Sequence, residues 1–317
     1  MFCQIADYVW HCLTRSNKPL KLAMNILVKN EVDIIADNIL VHAALGIDSF
    51  NIMDNGSDDG TREVLAELSK DYDINIIDQK DQNYQQAKWM TELNHIARRR
   101  GSDLVFNNDA DEFYLPKPGV SYRDILYQND SVVSLKRYNM ALDESCLKTD
   151  YKYWHSNLQV KNPILYDTEA QINQDAVSML LIKISPKVIT NPHGLFRLKG
   201  GNHRAKHIWK LINKRSASEI EVFHYPIRGY EQFKRNIENR KRLLALGARM
   251  GDHYRRWVKI YDQGGLEKEF EKFVLNSNNE VQILSNIGVL QINSRPMKTL
   301  NPFLDSNSSS KFRNLIN

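Results

Sequence analysis

The stretch Asp103-Leu104-Val105-Phe106-Asn107-Asn108-Asp109-Ala110-Asp111-Glu112-Phe113 decides how this chain is read. Its apolar start predicts a buried strand, and its end gathers three acidic side chains just past that strand. Residues alternate along an extended chain, so Asp109 and Asp111 are expected on the same side. Paired hard oxygen ligands suit Mg²⁺ or Mn²⁺, and such an ion suits a diphosphate. That chemistry points to transfer of a group away from a nucleotide. A lone D-x-D also fits a strand that merely ends in a solvated turn, so its surroundings carry weight.

Those surroundings repeat one unit. Residues 22–28 (LAMNILV) read as a buried strand followed by Lys29-Asn30-Glu31. Residues 31–45 then place Ile34, Ile35, Ile39, Leu40 and Ala43 at helical spacing before Gly46, a residue suited to end a helix. A second strand is expected over 49–53, a polar turn over 54–60, and a helix with an acidic first turn over 61–70. Residues 74–77, 85–100 and 103–106 supply a third strand, a third helix and a fourth strand. Strands alternating with helices predict an α/β fold with a mostly parallel sheet, whose ligands sit at the carboxyl ends of strands. Lys29–Glu31, Asp54–Asp59 and Asp109–Glu112 all fall at such ends.

Past Pro118 the pattern loosens. Residues 131–139 and 179–184 read as further strands, separated by an insertion with Tyr151, Tyr153, Trp154 and His155. Residues 229–247 read as a basic amphipathic helix with Tyr230, Phe233, Ile237 and Leu244 on one face. From about Asn276 the chain becomes Asn/Ser-rich, and its end is expected to fray.

A chain of 317 residues, 42% hydrophobic and 26% charged, is long enough to bury a large core. It has no apolar run long enough to span a membrane and nothing at its start that resembles a secretory signal. Cys3, Cys12 and Cys146 are odd in number and lack metal spacing, which fits reduced thiols in a cytoplasmic setting. The net charge of +5 hides an asymmetry: residues 1–120 carry 12 Lys/Arg against 19 Asp/Glu, and residues 195–260 carry 17 against 5. The front half suits a metal and the back half an anion, with a polyanion-binding protein as the non-enzymatic alternative.

The turn from Asp54 to Thr61 fails as an EF-hand, because a loop started at Asn55 ends on Ala66 where a bidentate Glu is required. Walker A and G-x-G-x-x-G sequences are absent. His193 and His224 each end a short apolar run, and either imidazole could complete a metal shell begun by the Asp pair. His224 is favoured because Arg228, Tyr230 and Lys234 follow it, a cluster suited to a leaving diphosphate.

Taken in order, strand-KNE-helix, MDNGSDDGT, FNNDADEF and FHYPIRGYEQFKRNIENR resemble the GT-A glycosyltransferases, in particular the family-2-like group close to family 92. The resemblance covers roughly residues 20–245. It implies a nucleotide-sugar donor, most often a UDP-sugar, and a Mn²⁺ or Mg²⁺ ion. By position, Asn30, Glu31 and Asp54 would line the nucleoside pocket, Asp109 would face the ribose or the metal, and Asp111 would bind the metal with His224. Arg228 and Lys234 would lie near the diphosphate. The implied division is an N-terminal extension over 1–20, a catalytic domain over 21–247 and a helical C-terminal extension over 248–317. Within the catalytic domain, 21–116 would hold the nucleotide sugar and 117–247 the diphosphate and acceptor.

An inverting transfer needs a carboxylate near the incoming hydroxyl. Glu169 and Asp175 are the preferred candidates because they precede a strand-like run, with Asp143 and Glu144 behind them. Tyr151, Tyr153 and Trp154 suit either stacking on a sugar or core packing. The acceptor is expected to be a glycan, a lipid-linked molecule or another hydroxyl, with peripheral membrane contact through the helix at 230–246 and no nucleic-acid partner. Sugar-1-phosphate nucleotidyl transfer would need a glycine-rich basic loop after the first strand. A glycosidase would need carboxylates further apart than a D-x-D pair, about 5–9 Å.

Overall fold

The computed structural model describes residues 2–15, 18–80, 85–164, 179–208, 214–248 and 250–305. Its N-terminal half repeats strand and helix: β1 (Leu22–Val28), α2 (Ile35–Ala44), β2 (Ser49–Asp54), α3 (Thr61–Leu68), β3 (Ile74–Asp78), α4 (Gln86–Arg99) and β4 (Leu104–Asp109), preceded by α1 (Phe2–Arg15). Several helices stop where φ-positive glycines follow, among them Gly46 after α2, Gly101 after α4 and Gly247 after the helix at Tyr230–Ala245. The first loop closes tightly: Glu31 carbonyl accepts from Ile34 and Ile35, so α2 begins at Ile35, four residues later than the apolar spacing alone predicts.

The central sheet runs β9 (Lys214–Ser216), β6 (Val132–Leu135), β8 (Lys187–Thr190), β4, β1, β2, β3. β4, β1, β2 and β3 are parallel, and β8 lies antiparallel between β4 and β6. Leu22, Met24, Ile26, Phe50, Ile52, Leu104 and Phe106 are fully buried in the main core with Ile35 and Ile39 of α2. A sheet covered on both faces requires such near-continuous apolar strands. A smaller sheet stacks β5 (Glu112–Pro116), β10 (Ile220–His224) and β7 (Arg137–Asn139), with β10 antiparallel to β5 and parallel to β7.

Two expected strands come out differently. The run 131–139 breaks at Lys136 into β6 and β7, which join different sheets. Residues 179–184 form no strand and make only an isolated bridge, Ile182 with Ile164, while the strand of that region is β8. The sequence Ser185-Pro186 ahead of Lys187 explains the shift, since Pro cannot donate to a ladder and starts a strand more readily than it sits within one.

The interior also carries polar links. Asn51 donates to Asn25 (3.0 Å), Asn94 to Asn107 (2.6 Å), Asn107 to Thr190 (3.0 Å) and Asn108 to Asn38 (3.0 Å), so Asn25, Asn51, Asn107 and Asn108 each find a partner inside the core. Asn38 in turn donates to the carbonyls of Ala110 and Glu112 at 2.8 and 2.9 Å. His42 accepts from the Tyr114 N–H at 3.0 Å and donates through Nδ1 to the Asn38 carbonyl, and burial holds its pKa down at about 4, so it is neutral. The acidic turn is thereby pinned from behind by α2.

The C-terminal helices pack onto this frame. α5 (Tyr230–Ala245) packs Phe233 and Ile237 with Trp257 of α6 (Asp252–Asp262) and Phe270 of α7 (Leu266–Glu271), and Leu243 of α5 is buried as well. Leu243 takes the buried position assigned to Leu244, which is only half-buried. Several cations of the basic segment are engaged within the chain: Arg215 with Asp130, Arg235 with Asp33, Lys241 with Asp262, Arg242 with Asp58 and Arg256 with Glu269. α8 (Glu280–Asn286) and α9 (Arg295–Leu304) give order to the Asn/Ser-rich segment as far as Asp305, with Leu300 and Leu304 of α9 in the main core. Among the described residues, no helix is long and apolar enough to cross a membrane.

Candidate functional site

The carboxyl ends of β1, β2 and β4 are neighbours by register, Val28 opposite Asp54 and Leu27 opposite Asp109. They open onto a cleft of about 560 Å³ whose far wall is formed by α5 and α6. β4 ends at Asp109, and the turn Ala110-Asp111 leads directly into β5. The two aspartates therefore meet different partners, although both line the cleft.

Asp111 approaches His224, with 3.4 Å between Oδ2 and Nε2. His224 Nδ1 lies 2.7 Å from Asn139 Oδ1, and Asn139 Nδ2 donates to the Leu180 carbonyl at 2.9 Å. The Leu180 carbonyl fixes the amide, so the amide oxygen faces the imidazole and Nδ1 must carry the proton. Nε2 is left facing Asp111, the ring nitrogen a metal ion would take once Nδ1 is engaged elsewhere. Asp111, Glu112 and His224 each present a ligand atom within 4.8 Å of the others. Two carboxylates and one imidazole make a donor set that fits Mn²⁺ or Mg²⁺.

Asp109 stands outside that group of three but is joined to it through Lys187. Its carboxylate is held by Lys187 and by Asn202 Nδ2 at 3.2 Å. Lys187 is fully buried and lies 3.0 Å from Glu112, which also meets Arg137 at 2.5 Å. Burial raises the pKa of Asp109 against the pull of Lys187, with Glu112 and Asp111 adding to the rise. Burial opposes ionisation of Asp111 and Glu112 too. For Asp111 the charges of His224, Arg228 and Lys187 outweigh it, and for Glu112 those of Lys187, Arg137 and His224 do, so both sit below the ordinary carboxylate range.

Of the residues assigned to the nucleotide sugar, Glu31 lines the cleft and is held by Arg228 at 3.0 Å. Arg228 is buried and binds Asp33 through Nε at 2.8 Å, so its guanidinium braces the loop after β1. Burial, with Asp111 and Asp33 nearby, pushes Glu31 up to about 8 despite Arg228. Asn30, with φ of 58°, donates to Asp58 at 2.7 Å and to Asn239 of α5 at 3.0 Å, tying the loop after β1 to the loop after β2 and to the cleft wall. Asp54 is buried and accepts from the Ser57 N–H and hydroxyl at 3.0 and 2.6 Å, an Asx turn that shapes the loop. Its neighbour Asn55 lines the cleft. Lys234 is half-buried on α5 at a position outside the cleft lining.

Glu169 and Asp175 lie outside the described residues. Asp143 caps the short helix after it through the Ser145 N–H, and Glu144 accepts from Asn276. Tyr153 and Trp154 are core residues, Tyr153 donating to Asp37 at 2.9 Å. His193 sits at the opposite edge of the sheet, stacked on His11 and paired with Asp7.

Sequence reasoning missed Lys187, Arg137, Asn139 and Asn202. Their signals are a lysine heading a β-branched run, an arginine within a broken strand, and two asparagines with nothing local to mark them. It also missed the wall made by Arg240 over the Tyr254 ring (4.6 Å) beside His253 and Trp257.

A family model described as glycosyltransferase family 92 matches residues 22–259. A search of curated proteins returns no match. Similar solved structures include S. aureus TarS 1–349 in complex with UDP-GlcNAc, at 10% identity and TM-score 0.39 over 90% of this chain and 81% of that one. GalNAc-T7 with UDP, GalNAc and Mn²⁺ matches at 11% identity and TM-score 0.38, over 94% of this chain and 58% of that one. Glucosyl-3-phosphoglycerate synthase from Mycobacterium tuberculosis, with Mg²⁺ and UDP, matches at 11% identity and TM-score 0.34, over 77% of this chain and 85% of that one.

Proposed function

The chain belongs to glycosyltransferase family 92, and we propose that its cleft transfers a sugar from a UDP-sugar to an acceptor hydroxyl with inversion, assisted by a divalent cation. The observation that carries this reading is the fixed orientation of His224, held through Nδ1 by Asn139 so that Nε2 faces Asp111 across 3.4 Å with Glu112 beside them. Asp111 and His224, with Glu112 beside them, would hold Mn²⁺ or Mg²⁺. When bound, the ion supplies positive charge to the diphosphate as the sugar–phosphate bond breaks.

The remaining roles belong to the chain's own residues. Lys187 and Arg137 neutralise Glu112, and Lys187 also holds Asp109, so the acidic cluster does not repel an anionic donor outright. Asn30, Glu31 and Asn55 fit the nucleoside side of the cleft, where Asp54 shapes the loop and Arg228 keeps Glu31 in place. As the acceptor oxygen bonds to the anomeric carbon, its proton passes to a base and the bond electrons leave with the UDP oxygen. Glu169 and Asp175 are retained as candidates for that base. The wall of Arg240, His253, Tyr254 and Trp257 suits an acceptor glycan or the head of a lipid-linked one. We place the reaction in the cytoplasm.

Calorimetric titration of UDP with and without Mn²⁺, on the wild type and on Asp111→Ala, tests the reading. Mn²⁺-dependent binding that the variant loses is expected. UDP binding that is indifferent to Mn²⁺, or unchanged in the variant, would overturn it.

A further inference from the structure

The helix α1 has a buried face held by polar contacts and an exposed face that is apolar. Tyr8 and His11 face inward: Tyr8 donates to the Asn129 carbonyl at 2.7 Å and His11 meets Asp103 at 2.8 Å. On the other side Val9, Trp10 and Leu13 are 41%, 71% and 70% exposed, and Ala6, one turn back, is exposed with them. An exposed helix face without a charge is unusual, and a Trp–Leu strip is costly to leave in water.

Cations adjoin this strip. Arg15, the last residue of α1, and Lys18 and Lys21 in the segment after it line a second cleft of about 440 Å³ at the amino-terminal edge of the sheet, together with Arg100 and Arg123. Only Asp48 and Asp73 represent carboxylates in that lining. The end of α4 adds Arg98, which reaches Asp7 of α1 at 3.2 Å, and exposed Arg99. Among the described residues, Lys18, Lys21 and Arg99 are exposed and enter no ion pair.

We propose that α1 and the basic cleft beside it dock on an anionic phospholipid surface, with Val9, Trp10 and Leu13 in the acyl boundary and Lys18, Lys21 and Arg99 among the headgroups. Trp and Leu on an interfacial helix with a cationic border form the pattern that binds such surfaces. A second copy of the chain fits less well, because a two-fold contact through α1 would bring two cationic clefts together. The face lies at the edge of the sheet opposite the donor cleft, which leaves that cleft open to the water phase. The inference is independent of the donor chemistry: vesicle binding can fail while UDP binding survives, and the reverse.

The test is flotation of the full chain with phosphatidylcholine vesicles containing about one third phosphatidylglycerol, against vesicles of phosphatidylcholine alone. The wild type should float with the anionic vesicles and be released by high salt. Trp10→Ser/Leu13→Ser should lower the partition coefficient by at least about ten-fold with an unchanged thermal midpoint, since both side chains are already in water. Lys18→Glu/Lys21→Glu should lose the preference for anionic vesicles. Failure of the wild type to float, or equal flotation by the Trp10/Leu13 variant, would overturn the proposal. So would a concentration-dependent dimer, measured by light scattering, that the same variant abolishes.

Discussion

Replacing Lys187 by Met tests how the acidic cluster is held apart. The lysine is wholly buried, touches the Asp109 carboxylate and lies 3.0 Å from Glu112 Oε2. Without it, Asp109 keeps only the neutral amides of Asn202 at 3.2 Å and Gln86 at 3.5 Å, and Glu112 keeps Arg137 at 2.5 Å. Methionine occupies a similar apolar volume, so cavity formation contributes little. What remains is the cost of breaking a buried ion pair, about 3–5 kcal/mol. Chemical unfolding in EDTA should show that loss. Millimolar Mn²⁺ should then stabilise the variant more than the wild type, because Asp109 and Glu112 regain a counter-charge and the ion binds only the folded chain. A variant within about 1 kcal/mol of the wild type in EDTA, or equal stabilisation of both by Mn²⁺, would refute the argument.

Asn139→Leu removes the acceptor that fixes the His224 tautomer, and should weaken Mn²⁺ affinity by about 10–100-fold in a competition titration while UDP binding at saturating Mn²⁺ is retained. Asp103 is fully buried; burial opposes its charge, and hydrogen bonds from His11, Arg15 and Gln128 overcome this and hold its pKa below the ordinary range. A depressed folded pKa means stability that is present above the unfolded value near 4 and lost as pH falls below it. Asp103→Asn should therefore be less stable than the wild type at pH 7 and converge with it in acid, as read by unfolding midpoints across the pH range.

The first half of the fold was legible because its strands and helices are local and periodic. The apolar run Leu22–Val28, the φ-positive Gly46 and the acidic end of β4 each announce themselves within a few residues. The site was legible at the acidic residues that follow a strand and at His224, which ends one. Lys187 reaches Asp109 across 78 residues and Asn139 reaches His224 across 85, and such pairings depend on sheet order, which no local pattern encodes. The same limit explains Arg228: the cluster of cations after His224 suggested a diphosphate contact, whereas tertiary packing turns the guanidinium to Glu31 and Asp33. The aromatic residues Tyr153 and Trp154 read equally well as a sugar platform or as core, and burial assigns them to the core.

The reversed direction of β8 has a consequence for the order in which the chain can mature. A strand running against its neighbours delivers its first residue, Lys187, to the edge where β4 delivers its last, Asp109. While a ribosome is still short of residue 187, the nascent chain holds Asp109, Asp111 and Glu112 with Arg137 against Glu112 but neither Lys187 nor His224 to balance the rest. The N-terminal repeat, though built from local contacts, cannot then close as an independent folding unit at its catalytic edge. Its final consolidation waits for residues from the far side of the chain, so a translation product truncated before β8 should remain open and accessible to proteases at the turn it was expected to bury.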